Sequence, residues 1–262
     1  KDFSAELLNQ LYAGYFYDDH TPERLIRDIN LRMSQAALHA DLNLRWSLDG
    51  FEAQGEQASE VNVEISNQNI GYLSVTGSLD FNQAQALVLE ALQNVSKAKV
   101  VIVDIREAEK LSIAQATNFL SYILKAPITV GQLVSNSEIQ SIKTKNIATQ
   151  ARTKLDFTPS SSLFVVTSNF VSREWELVLN ALKQNDRATI VGEVTMGVSA
   201  LTKTVRLNEQ IVVELPYARL TGTGASGAWD NVGIEPEHYA KADEALQLAY
   251  ELALKRLASI AQ

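Results

Sequence analysis

Two short runs limit what this chain can fold into. Val100-Val-Ile-Val103 and Leu163-Phe-Val-Val166 are unbroken apolar stretches with no polar residue at alternate positions. A strand with one wet face alternates; one that does not must be covered on both sides. Such strands belong to parallel sheets lined by helices, and helix-patterned segments separate the strands here. Residues 82–95 place Ala84, Leu87, Val88, Ala91 and Val95 on one helical face, and further helices are predicted at about 112–125, 173–184 and 242–259. Shorter strand signals fall at Val61–Ile65, Ile70–Val75, Leu133-Val134 and Thr189–Gly192. Lys203–Leu207 and Gln210–Leu215 read as a hairpin across Asn208-Glu209, and residues 136–162 as a polar loop. Strands alternating with helices define an α/β fold.

The first 50 residues have a different character. Leu7, Leu8 and Leu11 cluster at helical spacing, and Thr21-Pro22 is an N-cap followed by a proline in the first helical position. Leu42, Leu44 and Trp46 alternate as a short strand. The predicted organisation is a small helical subdomain over 1–50, an acidic linker over 51–60 and an α/β domain over 61–262. The net charge of −8 repels phosphate backbones, which argues against nucleic acid as a partner. No apolar run approaches the roughly 18 residues of a membrane span. With no cysteine, thiol catalysis, disulfides and thiolate zinc sites are excluded. The chain begins at Lys1 rather than Met. A mature exported protein would begin so, giving a periplasmic or secreted expectation with the cytoplasm as the alternative.

Few residues point to chemistry on their own. His20, His39 and His238 are scattered, and none lies in a His-Glu-x-x-His pattern. Asp18-Asp19-His20 reads more readily as a solvated loop than as a metal site. Gly222-x-Gly224-x-x-Gly227 matches a dinucleotide fingerprint in letters only. Trp229, Asn231, Gly233 and Pro236 follow where a helix would have to open, so a glycine loop without nucleotide is expected. No cofactor and no metal are expected. Ser172 stands before a predicted helix, where a serine is either an N-cap or a nucleophile beside the positive helix end; position alone favours the cap.

A wider resemblance runs from Asn69 to Leu257. Ile70-Gly-Tyr-Leu-Ser-Val75, Val100-Val-Ile-Val-Asp-Ile-Arg106, Val165-Val-Thr167 with Ser172, Arg187-Ala-Thr-Ile-Val-Gly-Glu193 and Trp229-Asp-Asn-Val-Gly-Ile-Glu-Pro236 occur in one order. In that order they resemble the tail-specific protease family of serine peptidases, which includes C-terminal processing peptidases, the tricorn core and the interphotoreceptor retinoid-binding protein repeats. The resemblance implies a crotonase-like fold of ββα units, with Ser172 as the nucleophile and peptide or unfolded polypeptide as the partner.

The sequence departs from that family at its chemical positions. The lysine of one branch follows a glycine beyond Gly-Glu-x-Thr; here Gly192-Glu-Val-Thr-Met-Gly197 is followed by Val198. The histidine of the other branch aligns with Asn43, and its carboxylate with Asp230. An amide cannot take the serine proton. Lys110 and Leu111 occupy the places of the oxyanion glycines, and Arg173 belongs to the same cleft. Two readings follow: a pseudoenzyme that binds peptide or another ligand in the ancestral cleft, or an active serine endopeptidase cutting near C-termini or in unfolded chains. The departures favour the first. His39, four residues before Asn43, is the base the second would need.

Overall fold

The computed structural model describes residues 3–15, 21–36, 42–47, 60–65, 69–77, 90–91, 94–95, 98–109, 111–124, 127–145, 162–224 and 227–261. In chain order the helices are α1 (Phe3–Tyr12), α2 (Pro22–Ala36), α3 (Ile113–Ile123), α4 (Arg173–Gln184) and α5 (Ala242–Ile260). The strands are β1 (Asn43–Trp46), β2 (Glu60–Ile65), β3 (Ile70–Thr76), β4 (Val100–Asp104), β5 (Thr129–Val134), β6 (Ile139–Lys143), β7 (Leu163–Thr167), β8 (Thr189–Gly192), β9 (Ala200–Arg206), β10 (Ile211–Gly222) and β11 (His238–Tyr239). Contacts divide the chain into two compact units: Lys1–Gly55 with Ala200–Arg219, and Glu56–Ser199 with Leu220–Gln262.

The first unit joins the N-terminal segment to the hairpin. Pro22 opens α2, and Thr21 Oγ1 accepts the Arg24 N–H at 3.3 Å, as the cap pattern requires. The Asn30 side chain binds Leu44 twice, accepting from its N–H and donating to its carbonyl, both at 2.8 Å. That pair fastens α2 to β1. β1 then pairs antiparallel with β10, Asn43 opposite Glu214 and Trp46 opposite Ile211. Asn208 Oδ1 accepts from the N–H groups of Gln210 and Ile211, so the turn between β9 and β10 is built by the asparagine the sequence offers there.

The second unit contains a six-stranded sheet in the order β11-β8-β7-β4-β3-β2. Strands β11, β8, β7, β4 and β3 are parallel, and β2 is antiparallel to β3. Every residue of β4 and β7 is buried, as their unbroken apolar composition demands. On one face Ile70, Val100, Ile102, Phe164, Val166 and Val191 pack with Ala245, Ala249 and Ala253 of α5. Those alanines recur every four residues, so a smooth helical stripe lies close to the sheet. Burying each large aliphatic side chain contributes roughly 1.5–3 kcal/mol. Helices α3 and α4 pack together, with Phe119 edge-on to Trp175 at 5.6 Å between ring centres.

One sequence expectation is corrected. Residues 136–162 do not form a loop throughout: Ile139–Lys143 is β6, antiparallel to β5. Its residues are mostly exposed and include Gln140, Ser141 and Lys143, so no apolar alternation marked it as a strand. Of the predicted 82–95 helix, only residues 90–91 and 94–95 are described, and they are helical. The expected linker lies outside the described residues except for Glu60, which opens β2.

Gly192 ends β8 at φ +136°, and a Cβ built there would lie 2.1 Å from the Thr167 carbonyl oxygen of β7. Only glycine fits. Gly192→Ala is expected to lower the unfolding free energy by on the order of 3 kcal/mol, at the upper end of ordinary substitutions, as measured by urea unfolding.

Candidate active site at the carboxyl ends of the parallel strands

The segments following β4, β7 and β8 meet at one end of the sheet. Ser168 Oγ, just after β7, donates to the Arg106 carbonyl at 2.9 Å and accepts from the Phe170 N–H at 3.4 Å. The Asn169 N–H donates to Glu193 Oε2 at 3.2 Å, linking the β7 loop to the residue after β8. Ser172 follows as the N-cap residue of α4, with φ −70° and ψ 162°. The sequence favoured an N-cap, and Ser172 holds that position. The Ser172 side chain makes no cap hydrogen bond. Its Oγ is shielded from solvent and has no hydrogen-bond partner among the described residues.

Glu176, one turn into α4, organises the loop after β8. Its side chain is fully buried. Oε1 accepts from Thr195 Oγ1 and from the Gly197 N–H, both at 2.6 Å, and Oε2 accepts from the Val198 N–H at 2.9 Å. Thr195 Oγ1 in turn accepts from the Ile234 N–H at 2.7 Å. The chain around Gly197 is pinned on its other side too, since its carbonyl accepts from the Asn231 N–H at 2.8 Å. Gly197 has φ +79°, and a Cβ there would meet the Gly233 nitrogen at 2.6 Å. Burial holds the Glu176 carboxyl above the usual glutamate range, against hydrogen bonds from Thr195, Gly197, Val198 and Trp229 that pull it down.

The Asp-Ile-Arg string after β4 is a clamp. Arg106 Nη2 binds Asp104 Oδ2 at 2.7 Å, and its Nε binds Oδ1 at 2.9 Å. Arg106 Nη1 donates to the Ala242 carbonyl in the first turn of α5. Tyr72 Oη donates to Asp104 Oδ2 at 3.0 Å. Burial, and secondarily the Asp104 charge, push the Tyr72 phenol up to about 12. This motif therefore fastens the sheet to α5, and its charged groups bind one another.

The predicted site residues are placed as follows. Leu111 is buried, and the next residue, Ser112, caps α3 in a reciprocal pair with Gln115, at 2.7 and 3.1 Å. Lys110 and His39 lie outside the described residues, as do Asp18, Asp19 and His20. Asp230 Oδ1 accepts from Ser199 Oγ at 2.6 Å. Arg173, the first residue of α4, pairs with Glu174 at 3.3 Å. Val198 is partly exposed. Asn43 is exposed on β1 in the first unit. His238 is exposed on β11, opposite Val191 of β8. Gly222 is the last residue of β10 rather than a loop residue, and Gly224 and Gly227 follow it outside the strand: the Gly222 N–H donates to the Gly227 carbonyl at 2.8 Å, and the Gly227 N–H to the Gly224 carbonyl at 3.1 Å.

Glu176 and Thr195 were not found from sequence. Trp175–Leu182 is buried throughout, so no periodic signal set Glu176 apart from its apolar neighbours.

Ser172 thus stands at a helix start beyond a central parallel strand of a mixed α/β protein. The profile of peptidase family S41 matches residues 69–240, and the chain belongs to that family of serine peptidases. A Parabacteroides merdae protein given as a candidate peptidase shares the fold at TM-score 0.68 and 13% identity, over 94% of this chain and 88% of that one. A lipoprotein from Streptococcus agalactiae matches at TM-score 0.61 and 14% identity, over 96% and 88%. The photosystem II D1 C-terminal processing protease matches at TM-score 0.53 and 16% identity, over 78% of this chain but only 48% of its own length. The chain thus spans about half of that protease. The fold shared is a mixed α/β one with a parallel sheet.

The raised Glu176 carboxyl has a definite stability signature. The folded chain binds this proton more tightly than the unfolded chain, so the contribution is present below the ordinary value of 4.5 and is lost as pH rises through the higher folded value. Glu176→Gln removes the titration. In urea unfolding, wild type should gain stability relative to Glu176→Gln as the pH falls from neutrality toward 4.5.

Proposed function

We propose that this chain keeps the family fold without hydrolysis at Ser172, and that it binds polypeptide at the carboxyl ends of the parallel strands. The observation that carries the proposal is the Ser172 hydroxyl, sealed from solvent and without a partner among the described residues. A serine attacks a carbonyl only when a base within hydrogen-bond reach takes its proton. Val198 stands where one branch of the family has lysine, and Asn43 where the other has histidine. The hydroxyl of Ser199 holds the Asp230 carboxylate. Leu111 is buried where an oxyanion glycine belongs, and losing one oxyanion donor costs on the order of 10²–10³ in rate. The crotonase-like arrangement of ββα units, an N-terminal helical subdomain and an exported location belong to the same proposal. Peptide as the ligand is supported by membership of a peptidase family.

A fluorophosphonate probe of activated serines tests the chemistry. Wild type should label no more than Ser172→Ala, and a reduced, carboxymethylated protein should be retained on the immobilised chain and recovered uncut. Labelling lost in both Ser172→Ala and His39→Ala would instead restore the active peptidase, with His39 as its base.

A further inference from the structure

The loops after β7 and β8 and the closing turn expose large apolar side chains. Phe170, after β7, is 77% exposed; Met196, after β8, is 56% exposed; and Val232, in the closing turn, is 72% exposed. Val194 and Val198 are partly exposed beside them. These loops adjoin one another. The Asn169 N–H reaches Glu193, the Asn231 N–H reaches the Gly197 carbonyl, and a Cβ on Gly233 would lie 3.1 Å from Val194 Cγ1. Large exposed apolar patches mark interaction sites, because leaving them in water costs stability and solubility.

Among the described residues, two carboxylates border this surface. Glu193 lies beside Val194 and accepts the Asn169 N–H. Glu107 is exposed on the loop after β4, which the Ser168 hydroxyl joins to the Phe170 loop. The two arginines nearest in sequence are engaged elsewhere: Arg106 by Asp104 and the Ala242 carbonyl, Arg173 by Glu174. Glu174 and Glu176 lie in the first turn of α4, where they offset the positive end of its dipole. The whole chain carries a net charge of −8, so the background field is also negative.

We propose that the partner of this face is a cationic, apolar polypeptide, with Leu- or Phe-like side chains seated on Phe170, Met196 and Val232 and Lys or Arg beside Glu107 and Glu193. This deepens the proposed function and rests on its polypeptide-binding reading. An extended chain presents alternate residues to opposite sides, so one segment can offer apolar groups to the patch and basic groups to its rim.

Fluorescein-labelled alternating Leu-Lys, Leu-Ser and Leu-Glu peptides of about eight residues separate the possibilities by anisotropy. Leu-Lys should bind at least tenfold tighter than Leu-Ser, and Leu-Glu weakest. The preference should shrink between about 50 and 500 mM salt as the Debye length falls. Phe170→Ser with Val232→Ser should weaken Leu-Lys binding at least tenfold; both residues are exposed, so the fold should survive, as circular dichroism can verify. Glu107→Gln with Glu193→Gln should reduce Leu-Lys to the Leu-Ser level, while Glu251→Gln on α5 leaves it unchanged. Equal binding of Leu-Ser and Leu-Lys, or a loss with Glu251→Gln as large as with the rim pair, overturns the inference and leaves polypeptide binding standing. Binding of none of the three peptides overturns both.

Discussion

Burial of β4 and β7 on both faces confines polar chemistry in the larger unit to the places where the strands end. A sheet covered by α5 on one side leaves no room for hydration along its middle strands, so every residue of both strands is buried. Asp104, Thr167 and Gly192 are the last residues of three successive strands, and the loops that follow them build the candidate site. The same constraint explains why Gly192 must be glycine. Neighbouring backbones converge at that end, and the Thr167 carbonyl fills the space a side chain would need.

Two buried carboxylates hold this end together by different physics. Asp104 is paired with the Arg106 cation and a tyrosine hydroxyl, so its charge is answered by a charge. Removing one partner of such a buried pair leaves the other uncompensated, which typically costs about 3–5 kcal/mol. Glu176 is answered by neutral donors alone: a threonine hydroxyl and two backbone N–H groups. Burial then outweighs the hydrogen bonds, and its carboxyl is pushed up. Both serve architecture. Asp104 ties strand to helix, and Glu176 fixes the Gly192–Ser199 loop against α4. Neither bonds to Ser172, whose hydroxyl has no hydrogen-bond partner among the described residues.

The residues that hold the fold are distinct from those at the candidate site. The apolar strands, the alanine stripe of α5 and the two carboxylate anchors supply stability. Val198 lies at the surface and Leu111 within the core.

Much of the fold was legible in the sequence because periodicity reports burial. The continuous runs at Val100–Val103 and Leu163–Val166, the Thr21-Pro22 helix start, the Asn208 turn and the glycine loop following Gly222 each carry a local signal that the structure repeats. Five landmark strings in order were enough to indicate the family. What tertiary structure decided is partnership. β6 lacked alternation and became a strand only by pairing with β5. β1 finds β10, far along the chain. Glu176 looked like one acidic residue in an amphipathic helix until Thr195, Gly197 and Val198 closed on it. Ser172 read as an N-cap and is one, but its hydroxyl finds no partner among the described residues. Local sequence encodes which groups leave water; it does not encode which distant donor or acceptor meets them there, because that is fixed only when segments remote in sequence pack together.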